Sequence, residues 1–240
     1  MSLALDYSGR TIVISGGTGG IGFALARGFA AAGAIVHATG ATAVEVVAAR
    51  DAAPEISFFV LDVRDTAAVN AFAAQFGPLG ALVNCAGVNL RATEFTPEGF
   101  STAIDVNLTG TMRLCTALRP LLGGGAILNL ASVFSFFGAG HAPAYAASKG
   151  GVVQLTKSLA LAYAKENIRV NALAPGWIET AMTAVPRADA ARSAELLGRT
   201  PMGRWGRPED LVGPALFLCS PLAAFITGAV LPVDGGFLIA

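Results

Sequence analysis

Five of the seven residues from 16 to 22 are glycine, in the run Ser15-Gly16-Gly17-Thr18-Gly19-Gly20-Ile21-Gly22. What flanks this cluster makes it the strongest constraint on the fold. Before it stands a β-branched run, 11–15. After it comes a stretch, 20–32, with Ile21, Leu25, Phe29 and Ala32 at helical spacing and Gly33 behind the last turn. A strand that passes into a helix through glycines lets the backbone turn tightly and approach a pyrophosphate. The helix start then offers free N–H groups and the positive end of its dipole. The spacing G-x-x-x-G-x-G carries little meaning alone and takes its weight from the strand–turn–helix setting.

The same alternation continues along the chain. Strands are expected over 11–15, 34–39, 56–61, 81–84, 126–130, 168–174 and 229–233. Helices are expected over 20–32, 42–50, 66–76 (with Asp65 as cap), 97–121 (broken near Asn107), 144–166 and 208–218. Strands separated by helices of this length imply parallel βαβ units with right-handed crossovers. The expected fold is α/β: a doubly wound parallel sheet, the Rossmann arrangement, of about seven strands with helices on both faces. A composition 54% hydrophobic and 13% charged suits such a doubly covered sheet. No repeat, linker or low-complexity tail divides residues 1–240, so a single domain is expected.

Several function classes fall away on charge and composition. Lys+Arg and Asp+Glu both number 16, and this balance offers no basic excess for nucleic acid or an anionic membrane. The stretch 120–148 has no charged residue, but Gly123-Gly124-Gly125, Asn129, Ser132, Gly140 and Pro143 interrupt it, so a buried strand and loop explain it better than a membrane span. The start, Met1-Ser2-Leu3-Ala4-Leu5-Asp6, lacks the basic and apolar regions of a signal peptide. Cys85, Cys115 and Cys219 are odd in number and scattered. They read as free thiols of a cytoplasmic protein, with no disulfide framework and no metal site.

Chemistry concentrates at Tyr145-Ala146-Ala147-Ser148-Lys149. Residues i and i+4 share a helix face, so phenol and ammonium can converge. Moving a tyrosine from about 10 to neutrality takes roughly 4 kcal/mol. One ammonium at about 4 Å, with an effective dielectric near 20, supplies about that much. Such a pair can do acid–base work on an alcohol or carbonyl. Ser132 follows the fifth strand and Pro175-Gly176 the sixth, both at the carboxyl edge where open α/β sheets bind ligands. Asn107 falls mid-helix, where asparagine is unfavourable. Asp62 follows the third strand, placed to accept from an adenine amino group, and Asn84-Cys85-Ala86-Gly87 ends the fourth.

Together these motifs resemble the short-chain dehydrogenase/reductase family from about Thr11 to Gly236, including Thr180 and the closing Val233-Asp234-Gly235-Gly236. The resemblance implies a catalytic tetrad of Asn107, Ser132, Tyr145 and Lys149. In it Tyr145 is the general acid/base, and Lys149 lowers its pKa and holds the nicotinamide ribose. Ser132 orients the substrate oxygen, and Asn107 supports a water that relays protons through Lys149. For the cofactor it implies Gly16, Thr18, Gly20, Ile21 and Gly22 of the loop, Thr39 and Gly40 at the second strand, and Asp62 with Val63 at the third. It adds Asn84, Ala86 and Gly87, the pair Tyr145 and Lys149, and then Pro175, Gly176, Ile178 and Thr180. Two positions depart from the family pattern: Ser15 replaces the usual threonine and Cys85 a second asparagine.

The expected activity is hydride transfer between NAD or NADP and a secondary alcohol or ketone. Gly40 stands where an acid would select NAD, and neither Ala41 nor Gly19 supplies the base that would select NADP. The balance favours NAD, because an unpaired, partly desolvated phosphate costs more than one lost hydroxyl contact. Phe134, His141 and Trp177, with Phe136 and Phe137 nearby, read as an apolar pocket for the small-molecule carbonyl or alcohol or, equally, as core or interface packing. Residues 178–204 are the expected substrate lid. Family resemblance also implies a homo-oligomer, tetramer or dimer. Two alternatives stand beside this reading. One is a 3-oxoacyl-thioester reductase of fatty-acid synthesis, with Arg113 and Arg119 as candidates to meet an acidic carrier. The other is a non-catalytic dinucleotide-binding sensor, which has no need of the tetrad.

Overall fold

The computed structural model describes residues 5–240. Residues 1–4, part of the start at which no signal peptide is expected, lie outside the described residues. Seven strands form one sheet in the order β3-β2-β1-β4-β5-β6-β7, and every pairing is parallel. They are β1 (Thr11–Ser15), β2 (Ile35–Gly40), β3 (Ser57–Val60), β4 (Ala81–Asn84), β5 (Ala126–Leu130), β6 (Arg169–Pro175) and β7 (Val230–Val233). The chain builds outward from β1 to β3, then crosses back to place β4 beside β1. That reversal opens a crevice at the carboxyl ends of β1 and β4, the topological switch point.

Helices cover both faces, as the paired apolar faces of the strands require. On one side α1 (Gly20–Ala31), α2 (Ala43–Ala52) and α9 (Val212–Cys219) pack through Leu25, Phe29, Val46, Ala215 and Leu218 onto Ile12, Ile14 and Leu128. On the other, α3 (Thr66–Ala73), α5 (Gly110–Leu118) and α6 (Pro143–Tyr163) pack through Val69, Phe72, Leu114, Leu118, Leu159 and Tyr163 onto Val13, Leu82 and Ile127. Asp65 caps α3 as expected, accepting from the N–H groups of Ala67 and Ala68. That helix stops at Ala73, three residues early. Pro143 opens α6, where its missing N–H costs nothing.

The break expected near Asn107 is present and has a definite form. α4 (Pro97–Ile104) runs into one wide π-turn (Asp105–Thr109) before α5 begins. Such π-bulges inside helices often mark functional positions. The segment 178–204 carries two short helices, α7 (Ala184–Ala188) and α8 (Ala190–Gly198). The charge-free stretch resolves into β5, a loop and the start of α6. No helix among the described residues is long and apolar enough to cross a membrane.

Candidate active site

A cavity of about 930 Å³ opens along the carboxyl edge of the sheet, at the upper end of the range for ligand sites. Its floor is the glycine loop. Gly16 adopts φ +63, and a Cβ there would meet the Ala86 backbone nitrogen at 2.7 Å. A Cβ on Gly22 would fall 2.1 Å from the Gly16 carbonyl oxygen. The loop therefore folds onto its own helix and onto the end of β4 at a distance that only glycine permits. Gly20, Ile21 and Gly22, at the start of α1, line the cavity.

One end of the cavity suits an adenosine. Thr18, Thr39, Gly40, Asp62 and Val63 line it, together with Glu45 and Arg64. Thr39 Oγ1 is buried there without a hydrogen-bond partner. Asp62 is held well below the usual carboxylate range, chiefly by hydrogen bonds from the Arg64 side chain. The ammonium and guanidinium groups that could meet an extra phosphate are few: Arg64 already pairs with Asp62 at 2.6 Å. Glu45 closes a capping box with Thr42, its carboxylate accepting the Thr42 N–H at 3.1 Å.

The other end holds the predicted chemistry. Ser132, Tyr145, Lys149, Ala86 and Gly87 line it, with Pro175, Gly176, Ile178 and Thr180 opposite. The Lys149 ammonium is buried and donates to the Leu130 carbonyl oxygen at 2.6 Å. Burial brings its pKa down to about 8. Tyr145 is pushed above the usual tyrosine range by burial, opposed by a hydrogen bond with Ser132 and reinforced by the negative charge of Glu94. The Lys149 Nζ lies 5.7 Å from the centre of the Tyr145 ring and is drawn toward β5.

Two predicted residues do not line the cavity. Asn84 turns its side chain into the interior, where Nδ2 donates to Asn129 Oδ1 at 2.9 Å, and the two are register partners on β4 and β5. The Asn84 side chain, expected at the cofactor, is committed to the sheet interior. Asn107 is fully buried. Its Oδ1 accepts the Val88 N–H at 2.7 Å, and its Nδ2 donates to the Val88 carbonyl and to Ser148 Oγ. It thus ties the loop after β4 to α6 from behind Gly87.

Phe134, His141 and Trp177 all line the cavity, and Phe134 contacts the rings of His141, Tyr145 and Trp177 edge-on. Phe136 and Phe137 are exposed outside it. The segment 178–204 contributes Met182, Val185, Pro186, Asp189 and Arg192 to its rim. Two residues of this wall went unread in the sequence, Arg91 and Arg192, and a third, Glu94, stands just behind it. An arginine in a loop carries no periodic signal, and only the folded chain shows which surface it faces. Arg113 and Arg119, the candidates for an acidic carrier, lie elsewhere: Arg113 bonds Asp105 and Arg119 pairs with Glu166 over the Tyr163 ring. Among the described residues no cluster of three or more His, Cys, Asp or Glu could hold a metal. All three cysteines are free.

A doubly wound sheet with a glycine-floored cleft at its switch point, and Ser, Tyr and Lys side chains at one end, defines a dinucleotide-dependent oxidoreductase. Comparison with known proteins narrows the class. A family model described as enoyl-(acyl carrier protein) reductase matches residues 16–238. The 2-dehydro-3-deoxy-D-gluconate 5-dehydrogenase of Escherichia coli K12 is 36% identical over 252 residues, covering 98% of both chains. The 3-oxoacyl-(acyl-carrier-protein) reductase of Chlamydia trachomatis is 36% identical over 241 residues, covering 95% of this chain and 96% of its own. A gluconate 5-dehydrogenase from Burkholderia cenocepacia, solved with NADP and tartrate, superposes with a TM-score of 0.92 at 37% identity, covering 99% of this chain and 98% of that one. The chain belongs to the short-chain dehydrogenase/reductase family and is a nicotinamide-dependent oxidoreductase of secondary alcohols and ketones.

Proposed function

We propose that this enzyme interconverts a secondary hydroxyl and a ketone on a small hydroxy carboxylate of the sugar-acid kind. The observation that carries the reading is a pair of guanidinium groups, Arg91 and Arg192, on the same cavity wall as Tyr145 and His141. Arg91 enters no ion pair among the described residues and donates to the Met182 carbonyl, whereas Arg192 pairs with Glu195 at 2.6 Å, so Arg91 is the uncompensated cation of the two. Both cations are near enough to His141 to add to burial in holding that imidazole below its ordinary range. The uncompensated Arg91 guanidinium favours an anionic substrate over the purely apolar ketone read from the aromatic cluster. Relatives that act on gluconate derivatives, and one solved with tartrate, fit the same chemistry.

In this reading Tyr145 is the proton-transfer group. Its phenol is neutral at pH 7 and donates to the carbonyl oxygen during reduction, the reverse transfer serving oxidation. Ser132 hydrogen-bonds the same oxygen and keeps it within reach. Lys149, charged below about pH 8, presents its ammonium to a ribose. Asn107 acts by holding the Val88 loop against α6 rather than by touching substrate. The chemistry supplied by a bound nicotinamide is donation and acceptance of hydride at the reacting carbon. The glycine loop, Asp62, Val63, Ala86 and Thr180 are the residues that would hold it. Residues 178–204 act as the substrate lid over what we read as one domain.

NAD is the preferred form. The adenosine end offers the Glu45 carboxylate, takes up the Thr42 N–H and leaves Arg64 paired, so a 2′-phosphate would meet negative charge. The Burkholderia relative was solved with NADP, and comparing kcat/KM for NADH and NADPH decides between the two. A homo-oligomer fits the exposed Leu161, Phe225 and Ile239, and a cytoplasmic setting fits the three free thiols. The test of the main reading is a panel of keto acids, neutral ketones and acetoacetyl thioesters run against wild type and Tyr145→Phe. Turnover on keto acids that vanishes in the variant is expected. Turnover confined to thioesters or neutral ketones, or retained by Tyr145→Phe, would overturn it.

A further inference from the structure

Glu94 is the one almost fully buried carboxylate among the described residues, at 1% exposure. It sits in the 3-10 turn Arg91–Phe95, which follows the loop after β4. One of its oxygens accepts the Leu90 N–H at 2.8 Å. The other accepts the N–H of Tyr145 itself at 2.9 Å, across 51 residues of sequence. Both oxygens act as acceptors, the behaviour of an ionised carboxylate. No ion pair compensates it among the described residues.

That arrangement is costly. A buried charge without a cation is among the least favourable things a fold can carry. A serine or aspartate at the N-cap would satisfy the helix start more cheaply, yet Ala142 occupies that position and makes no side-chain cap. The carboxylate reaches the first turn of α6 from a different segment, and it binds the donor belonging to the tyrosine that faces the cavity. The other backbone groups of that turn are also tied. Ser148 Oγ donates to the Tyr145 carbonyl at 2.7 Å, and Ser135 Oγ donates to the Lys149 carbonyl at 2.8 Å.

We propose that Glu94 is a positioning residue for Tyr145: it fixes the backbone from which the phenol projects and places a negative charge among the groups that face that phenol. The proposal rests on Tyr145 as the proton-transfer group. The groups facing this tyrosine are Lys149 on its own helix, Ser132 after β5 and His141 across the Phe134 ring. Arg91 and Arg192 stand on the cavity wall, and Cys85 lies beyond Lys149. Lys149, Arg91 and Arg192 are cationic and favour the phenolate. Glu94 is the negative group in this set and opposes it.

The experiment is the pH profile of kcat/KM for alcohol oxidation at saturating cofactor, measured on wild type, Glu94→Gln and Glu94→Asp, with thermal melts alongside. With the charge removed, the limb that reports the tyrosine should move down by about one pH unit in Glu94→Gln. Aspartate keeps the charge but is too short to span both N–H groups. It should leave the limb in place and lower kcat about tenfold, with the cofactor KM unchanged. A Glu94→Gln protein with a lower melting temperature and an unmoved limb would show a structural cap only and overturn the proposal. Should that variant not fold, Glu94→Asp decides: wild-type kcat in it overturns the proposal equally. Tyr145→Phe separates the two levels. If it is inactive while the Glu94 variants behave as wild type, only the role of Glu94 falls; if it is active, the reading of Tyr145 falls first.

Discussion

Lys149→Met should make this protein more stable while destroying its activity. The ammonium is buried, and its pKa falls from an ordinary 10.5 to about 8 because burial penalises the charge. That difference of roughly 2.5 units corresponds to about 3 kcal/mol held against folding at neutral pH. Methionine keeps the length and apolar stem and removes the charge. It also leaves the Leu130 carbonyl without its 2.6 Å partner, a loss of about 1–2 kcal/mol. The net expectation is a gain of about 1–2 kcal/mol, or several degrees at about 2–4 °C per kcal/mol for a chain of this size. The pH dependence is the sharper signature. Below pH 8 both folded and unfolded chains hold the proton, and the penalty is complete. Between about 8 and 10.5 the folded chain has released it and the unfolded chain has not, so wild-type stability climbs relative to the variant. Urea titrations of both proteins from pH 7 to 10.5, compared as a difference, cancel the tyrosines and thiols that titrate in the same range. A gap that stays constant with pH, or a variant clearly weaker than wild type at pH 7, would refute the claim that Lys149 is retained against its own folding cost.

Three further outcomes follow from the geometry. Gly22→Ala would place a Cβ 2.1 Å from the Gly16 carbonyl, and calorimetric titration with NAD should show affinity weakened at least about 100-fold in a protein whose circular dichroism still reports the fold. Asn84→Leu should cost about 2–3 kcal/mol in urea unfolding by orphaning Asn129 Oδ1, yet leave the cofactor dissociation constant within about twofold, since Asn84 faces the interior. His37 lies among Phe59 and Phe76 with Nδ1 buried and unpartnered, and burial holds it below its ordinary value. The folded state therefore resists its protonation, and wild-type stability should decline as pH falls below 6.5, a decline that His37→Leu flattens in thermal melts.

The centre of the sheet was readable because β1, β4, β5 and β6 are short apolar runs buried on both faces. β1, β4 and β5 begin and end where the runs 11–15, 81–84 and 126–130 do. Ends set by tertiary contact were less legible: α3 stops short of Phe76, and β6 continues into Pro175 because β7 pairs with it there. The break at Asn107 was visible as a poor helix former in a helical run. Its π-turn was not, since that depends on Val88 and Ser148 claiming the side chain. The i,i+4 spacing brought Tyr145 and Lys149 to one cavity, but spacing says nothing of the Leu130 carbonyl that draws the ammonium away. Asn84 read as a cofactor residue, and only its register against Asn129 supplied its side-chain partner. Glu94 left no trace at all, because nothing local distinguishes an acid that will be buried from one that will be solvated.

The end of β2 carries one more consequence. A Cβ on Gly40 would stand 2.5 Å from Thr18 Cγ2 and 3.1 Å from Thr18 Cβ, and rotating the threonine cannot relieve the second contact. Any acidic or basic side chain installed at Gly40 to redirect the coenzyme must first displace the glycine loop. Trimming Thr18 first removes all three close contacts, so a redesign of the coenzyme site at Gly40 is tied to the residue across the glycine loop.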